Sequence, residues 1–95
     1  MDINRLDGTI THSNATVTTS SALIVAANGA RQYLGLVNSG TNPVFLAFGT
    51  DAVANKGVYL VPSGGNYEIN LQNLFTQAVY AISTGGNSNV TILEK

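Results

Sequence analysis

The chain has 95 residues, with four basic and five acidic side chains and no cysteine. That length holds one domain, and without thiols neither disulfides nor a thiolate metal site can staple it. The four cations, Arg5, Arg31, Lys56 and Lys95, are scattered and make no patch for nucleic acid, and no apolar run approaches the roughly 20 residues of a membrane helix.

Charged residues are 9% of the chain, against about 25% in a typical globular protein, while 44% are hydrophobic. Disorder goes with the opposite balance, so the sequence predicts an ordered fold. Its polar surface must then be Thr, Ser, Asn and Gln. These shed water more cheaply than Lys or Glu, which interfaces avoid. The surface therefore reads either as a neutral soluble one or as one meant to be covered. A core this small also gains from association of copies. The N-terminus has acidic residues and no apolar h-region, so the expectation is a protein made in a cytoplasm.

Residues 1–14 are the least regular. Ile3, Leu6 and Ile10 are spaced among Asp2, Arg5 and Asp7, as in a loose terminus or in an arm that docks on a partner. From Ala15 the pattern becomes β, and residues 15–95 read as one domain. The run Ala22–Ala27 is continuously apolar, as in a strand buried on both faces. Asn28-Gly29 follows, a strong hairpin signal, which predicts that 22–27 pairs antiparallel with 30–38.

Within 31–38, Gln32, Leu34, Leu36 and Asn38 alternate with Arg31, Tyr33, Gly35 and Val37. Gly35 in a strand implies a bulge or a close approach of backbone or aromatic ring. A turn at 38–43 leads to Val44–Phe48, which has no polar interruption and so predicts a central strand. The 31–49 stretch thus reads as strand, turn, strand. Residues 49–57 form the longest loop, with Asp51 and Lys56. A strand at 57–61 stops at the Pro62–Asn66 turn.

In 66–71, Tyr67, Ile69 and Leu71 are expected inward and Asn66, Glu68 and Asn70 outward. Leu71, Leu74 and Phe75 have helical spacing, which predicts a single turn plugging the end of a sandwich. Strands at 78–83 and 89–94 complete the chain. About eight strands with turn chemistry between them predict an all-β fold, a β-sandwich of jelly-roll type.

Catalytic chemistry is sparse. His12 is the sole histidine, no G-x-S-x-G elbow occurs, and Asp51 and Glu68 are the only mid-chain acids. The Gly64-Gly65 and Gly85-Gly86 pairs lack the spacing of phosphate loops and read as turns. The residues predict no enzyme, no metal and no cofactor.

Ala26-Ala-Asn-Gly-Ala-Arg31 leading to Tyr33-Leu-Gly-Leu-Val-Asn38, then Asn42-Pro-Val-Phe-Leu-Ala-Phe-Gly49, resembles small virion proteins of tailed bacteriophages. Gly57–Glu68 and Val79–Gly86 continue the likeness, which spans roughly 22–94. It implies a capsid decoration (cement) protein, although related sandwiches also serve in head fibres, necks and tails, where glycan binding through Tyr59 or Tyr67 is an alternative. The implied partners are the major capsid protein and copies of the chain itself, as a homotrimer, on the outside of the virion. Under that reading Ile3, Arg5, Leu6, Ile10 and Arg31 are the candidate contacts, with local hydrogen bonding to carbonyls the competing role for Arg31. The 49–57 loop and the sandwich edges are the other peripheral candidates.

Overall fold

The computed structural model describes residues 9–95. They form eight antiparallel strands and no helix: β1 Thr11–Val17, β2 Ala22–Val25, β3 Leu34–Asn38, β4 Val44–Phe48, β5 Val58–Leu60, β6 Asn66–Ile69, β7 Val79–Ser83 and β8 Ser88–Glu94. The all-β expectation and the number of strands hold. Sheet I has the order β1-β8-β3-β6 and sheet II the order β2-β7-β4-β5.

This order has a simple origin. The antiparallel pairs β4–β5, β3–β6, β2–β7 and β1–β8 nest inside one another, as in one long hairpin with its tip between β4 and β5. Rolling that hairpin up sends alternate pairs to opposite sheets, and β3–β8 and β4–β7 pairing then completes each sheet. The result is the two-sheet jelly roll.

Alternation along the strands supplies the core. Sheet I points Val17, Leu34, Leu36, Ile69, Val90 and Ile92 inward, and sheet II answers with Val25, Val44, Leu46, Leu60, Val79 and Ala81. All are aliphatic. The aromatic rings close one end instead, with Phe48 against Phe75 edge-on at 5.4 Å and against Tyr67 at 5.6 Å. Such tilted pairs are the favoured ring geometries. The end plug expected around Phe75 is therefore present, but not as a helical turn. Asn70 and Asn73 accept backbone N–H groups of Gln72 and Asn70 at 2.8 and 2.7 Å, closing side-chain turns that compete with a helix. Leu71 and Leu74 are left exposed, so the inward placement of Leu71 is corrected.

Pairing departs from the sequence expectation more than strand location does. The predicted hairpin across Asn28-Gly29 does not form, because β2 pairs with β7 and β3 lies in the other sheet between β6 and β8. A type I′ turn needs positive φ at both central residues, and neither Asn28 nor Gly29 has it. Asn28 instead accepts the Ala30 N–H at 3.0 Å through its side chain and the Arg31 N–H at 3.1 Å through its carbonyl, turning the chain from sheet II into sheet I.

The 31–49 stretch likewise bridges the two sheets and is not one hairpin. β4 is central, as expected, with β7 and β5 on either side. Residues 11–14, assigned by sequence to the arm, belong to β1 and pair with Thr91–Glu94. The arm expectation therefore fails for 11–14, and residues 1–8 lie outside the described residues. The run 22–27 is not buried on both faces, because β2 is an edge strand with Ala22, Leu23, Ala26 and Ala27 exposed.

Candidate functional site

The outward faces of the two sheets differ in chemistry. On sheet I, His12, Asn14 and Thr16 of β1 stand beside Leu93, Thr91 and Asn89 of β8, and Asn66 and Glu68 of β6 stand beside Val37 and Gly35 of β3. That face is mainly polar. Tyr33 lies over Gly35, where an added Cβ would come 3.0 Å from its hydroxyl, so the approach expected there is aromatic. The Tyr33 hydroxyl donates to Glu68 at 2.7 Å, and this bond to the carboxylate raises the phenol pKa above 10.0, with burial and the negative charge adding to the effect.

On sheet II the outward residues are Leu23 of β2, Tyr80 and Ile82 of β7, Phe45 and Ala47 of β4, and Tyr59 of β5. None is charged. The 49–57 loop is a strap over this face. It leaves β4 and reaches the far edge of the sheet, where the Ala52 N–H donates to Ser21 Oγ at 2.8 Å, then returns to β5 at the opposite edge. Because the inner face is filled by the core, the strap has to cross the outer one. Ala52 is buried beneath it and Val53 stands on top, exposed. The strap lands through Gly57 at φ 83°, where a Cβ would overlap the Leu46 carbonyl oxygen, so only glycine fits there.

What this side offers to a partner is Leu23 at 51%, Val53 at 52% and Tyr59 at 50% exposure, with Val61 next along the chain at 48%. Asp51 and Lys56 on the strap are its exposed charges. Beside the strap, an open depression of about 480 Å³ is lined by Pro43, Phe45, Asn55, Tyr59 and Thr84. Phe45 and Tyr59 are cross-strand partners with ring centres 5.1 Å apart and planes tilted by 30°. Tyr67, the other ring considered for sugar stacking, packs on Phe48 and against the core.

Arg31 does not face outward. It is 1% exposed, and its guanidinium ties together three distant segments. Nε donates to Glu94 Oε2 at 2.8 Å, one terminal nitrogen to the carbonyls of Phe75 and Gln77 at 2.8 and 3.1 Å, and the other to the Ala26 carbonyl at 2.8 Å. The partner-contact expectation for Arg31 is therefore corrected in favour of hydrogen bonding within the fold, of which only the bond to the Ala26 carbonyl is local in sequence. Of the remaining candidate contacts, Ile10 precedes β1 and is half-buried, and Ile3, Arg5 and Leu6 lie outside the described residues.

A second polar node at the other end has the same character. Asn38, fully buried, donates to the Asn42 and Leu60 carbonyls at 2.8 and 3.0 Å, and its side-chain oxygen accepts from the Gly40 N–H at 3.1 Å and Ser88 Oγ at 2.7 Å. All four of its hydrogen-bonding positions are used. Both nodes rigidify the scaffold and present nothing to a ligand.

His12, Asp51 and Glu68 are not brought together: His12 is outward on β1, Asp51 is on the strap, and Glu68 serves Tyr33. Among the described residues no three His, Cys, Asp or Glu side chains converge on one point. The strapped face had a partial signal in the sequence, the long 49–57 loop, but its seat on sheet II depends on Ser21 and could not be read locally. Compared with family models, with curated proteins and with solved structures, the chain matches none of them.

Proposed function

We propose that this chain is a non-enzymatic virion structural protein that binds and stabilises the outer surface of a phage capsid through the strapped face of sheet II. The observation that carries the proposal is the grouping of Leu23, Val53 and Tyr59, each half exposed, on one side of the sandwich. Exposed apolar side chains on a face whose only exposed charges are Asp51 and Lys56 on the strap lose little on dehydration and suit burial against protein. The resemblance of residues 22–94 to small phage virion proteins supplies the context, with the major capsid protein as partner. On a shell, modest contacts repeated many times give strong overall attachment. The test is co-sedimentation of the purified protein with phage heads that lack it. Saturable uptake in large copy number is expected, and uptake of only a few copies, or none, contradicts it.

A second reading rests on the depression beside the strap. An aromatic pair flanked by an amide and a hydroxyl, with no charge in the lining, is chemistry that fits a sugar ring, as in a tail, neck or fibre module. That reading predicts glycan-array binding abolished by Tyr59→Ala, with unchanged circular dichroism. No glycan bound by the wild-type chain sinks it.

A further inference from the structure

A two-sheet sandwich has four edge strands, and each unpaired edge is a template for another strand unless something blunts it. Here the edges are β1 and β6 in sheet I and β2 and β5 in sheet II. Three are blunted by common devices. β2 has four residues, a register break between Leu23 and Val25, and the strap anchored next to it at Ser21. β5 has three residues and runs into Pro62 one residue after Val61. β6 has four residues and carries the charge of Glu68.

β1 has none of these. It is seven residues long, Thr-His-Ser-Asn-Ala-Thr-Val, and pairs with β8 in unbroken register from Thr11↔Glu94 to Val17↔Ser88. It holds no Asp, Glu, Lys, Arg, Pro or Gly, and five of its residues are exposed. Among the described residues β8 is its one strand partner; the Val17 carbonyl accepts from Ser83 Oγ at 3.2 Å, and apart from that contact no second strand lies along the outer side of β1. Seven residues is above the usual strand length of about 5–6, which makes an edge strand of this length the more unusual.

We infer that two copies of the chain join antiparallel through β1 about a two-fold axis, merging their sheets I into one eight-stranded sheet. A second copy is the occupant that fits best, because a two-fold contact needs only one self-complementary patch and the other edges are blunted against a head-to-tail match. Full overlap of the strand with itself puts Asn14 on the axis. On the outer face His12 then lies opposite Thr16 and Asn14 opposite Asn14; on the inner face Ser13 lies opposite Ala15 and Thr11 opposite Val17. No two carboxylates, ammonium groups or guanidinium groups meet. This contact uses the edge of sheet I and stands whether or not the sheet II face binds a capsid.

The test uses the full 95-residue chain. Sedimentation equilibrium over a concentration series is expected to show monomer and dimer. Asn14→Lys leaves the outward residue solvent-facing in the monomer but sets two ammonium groups together on the axis, so dimerisation should weaken by at least about tenfold while the circular dichroism is unchanged. Because the chain has no cysteine, Asn14→Cys gives a second, direct reading. Mild oxidation should link copies through it, and should not link copies of a Gln72→Cys control in the β6–β7 loop. A monomer at every concentration overturns the inference. So does an assembly, a trimer included, that Asn14→Lys leaves intact, or equal cross-linking of the two cysteine variants.

Discussion

Replacing Arg31 by methionine tests the claim that this residue is a structural bolt. Methionine keeps the length of the aliphatic stem and removes the guanidinium. Four acceptors lose the Arg31 donor, the carbonyls of Ala26, Phe75 and Gln77 and the Glu94 carboxylate, the last keeping only a 3.5 Å bond from Asn28 Nδ2. Removing one partner of a buried ion pair costs about 3–5 kcal/mol, and each buried carbonyl left bare adds about 1–3 kcal/mol. These do not simply add, since water will enter the site and Glu94 at 24% exposure can rehydrate. A loss near 3–5 kcal/mol is the working figure, out of a total of about 5–15 kcal/mol for a domain. At about 4–8 °C per kcal/mol for a chain of this size, the melting temperature should fall by on the order of 20 °C. Arg31→Lys should recover only part of this, because one ammonium cannot span acceptors on three segments. Glu94→Gln should be milder, since the amide oxygen still accepts from Nε. Thermal unfolding followed by circular dichroism reads all three. If Arg31→Met melts within a few degrees of the wild type, the bolt is not one and the residue is free for the partner role first considered for it.

Other consequences follow from the same geometry. Gly40→Ala should cost about 1–3 kcal/mol by denaturant titration, because a Cβ there overlaps Ser88 Oγ and crowds the Asn89 amide in the Asn38 node; a neutral result would show that the β3–β4 turn or the start of β8 yields freely. Tyr33 has its folded-state pKa raised by Glu68, so the bond stabilises the fold fully below pH 10.0 and is lost as pH rises through the higher folded value. A phenol absorbance titration of wild type minus Tyr33→Phe should therefore show one tyrosine ionising late, and a difference curve centred at or below 10.0 contradicts the bond. Deleting residues 1–14 removes Thr11–Asn14 from β1 and should lower the melting temperature relative to deletion of 1–8. Equal stability of the two truncations would mean that this half of β1 contributes nothing.

Strand location was legible because side-chain alternation is a local property. The strands expected at 44–48 and 78–83 stand where the sequence puts them, as Val44–Phe48 and Val79–Ser83, and Ile69, expected inward, is in the core, whereas Leu71 is not. Pairing was not legible, because it is decided by residues far apart in the chain. Asn28-Gly29 has hairpin chemistry, yet β7 takes β2 as its partner more than fifty residues along the chain and the turn relaxes to negative φ. Arg31 shows the same limit at one side chain: its acceptors lie up to 63 residues away, and nothing near it in sequence distinguishes a bolt from a contact. Leu23 was misread because an unbroken apolar run looks the same whether its second face meets core or meets a partner. The edge position of β2 settles that its second face is outward. The strapped face follows from that placement, since the Ala52–Ser21 bond links segments 31 residues apart.

The central claim is that the sheet II side is the surface that docks. Cryo-electron microscopy of phage heads saturated with the protein tests it most directly. The account predicts many copies per particle, with Leu23, Val53 and Tyr59 against the capsid and the polar outer face of sheet I toward solvent. Copies seated through the sheet I face, or heads that remain bare, would contradict it.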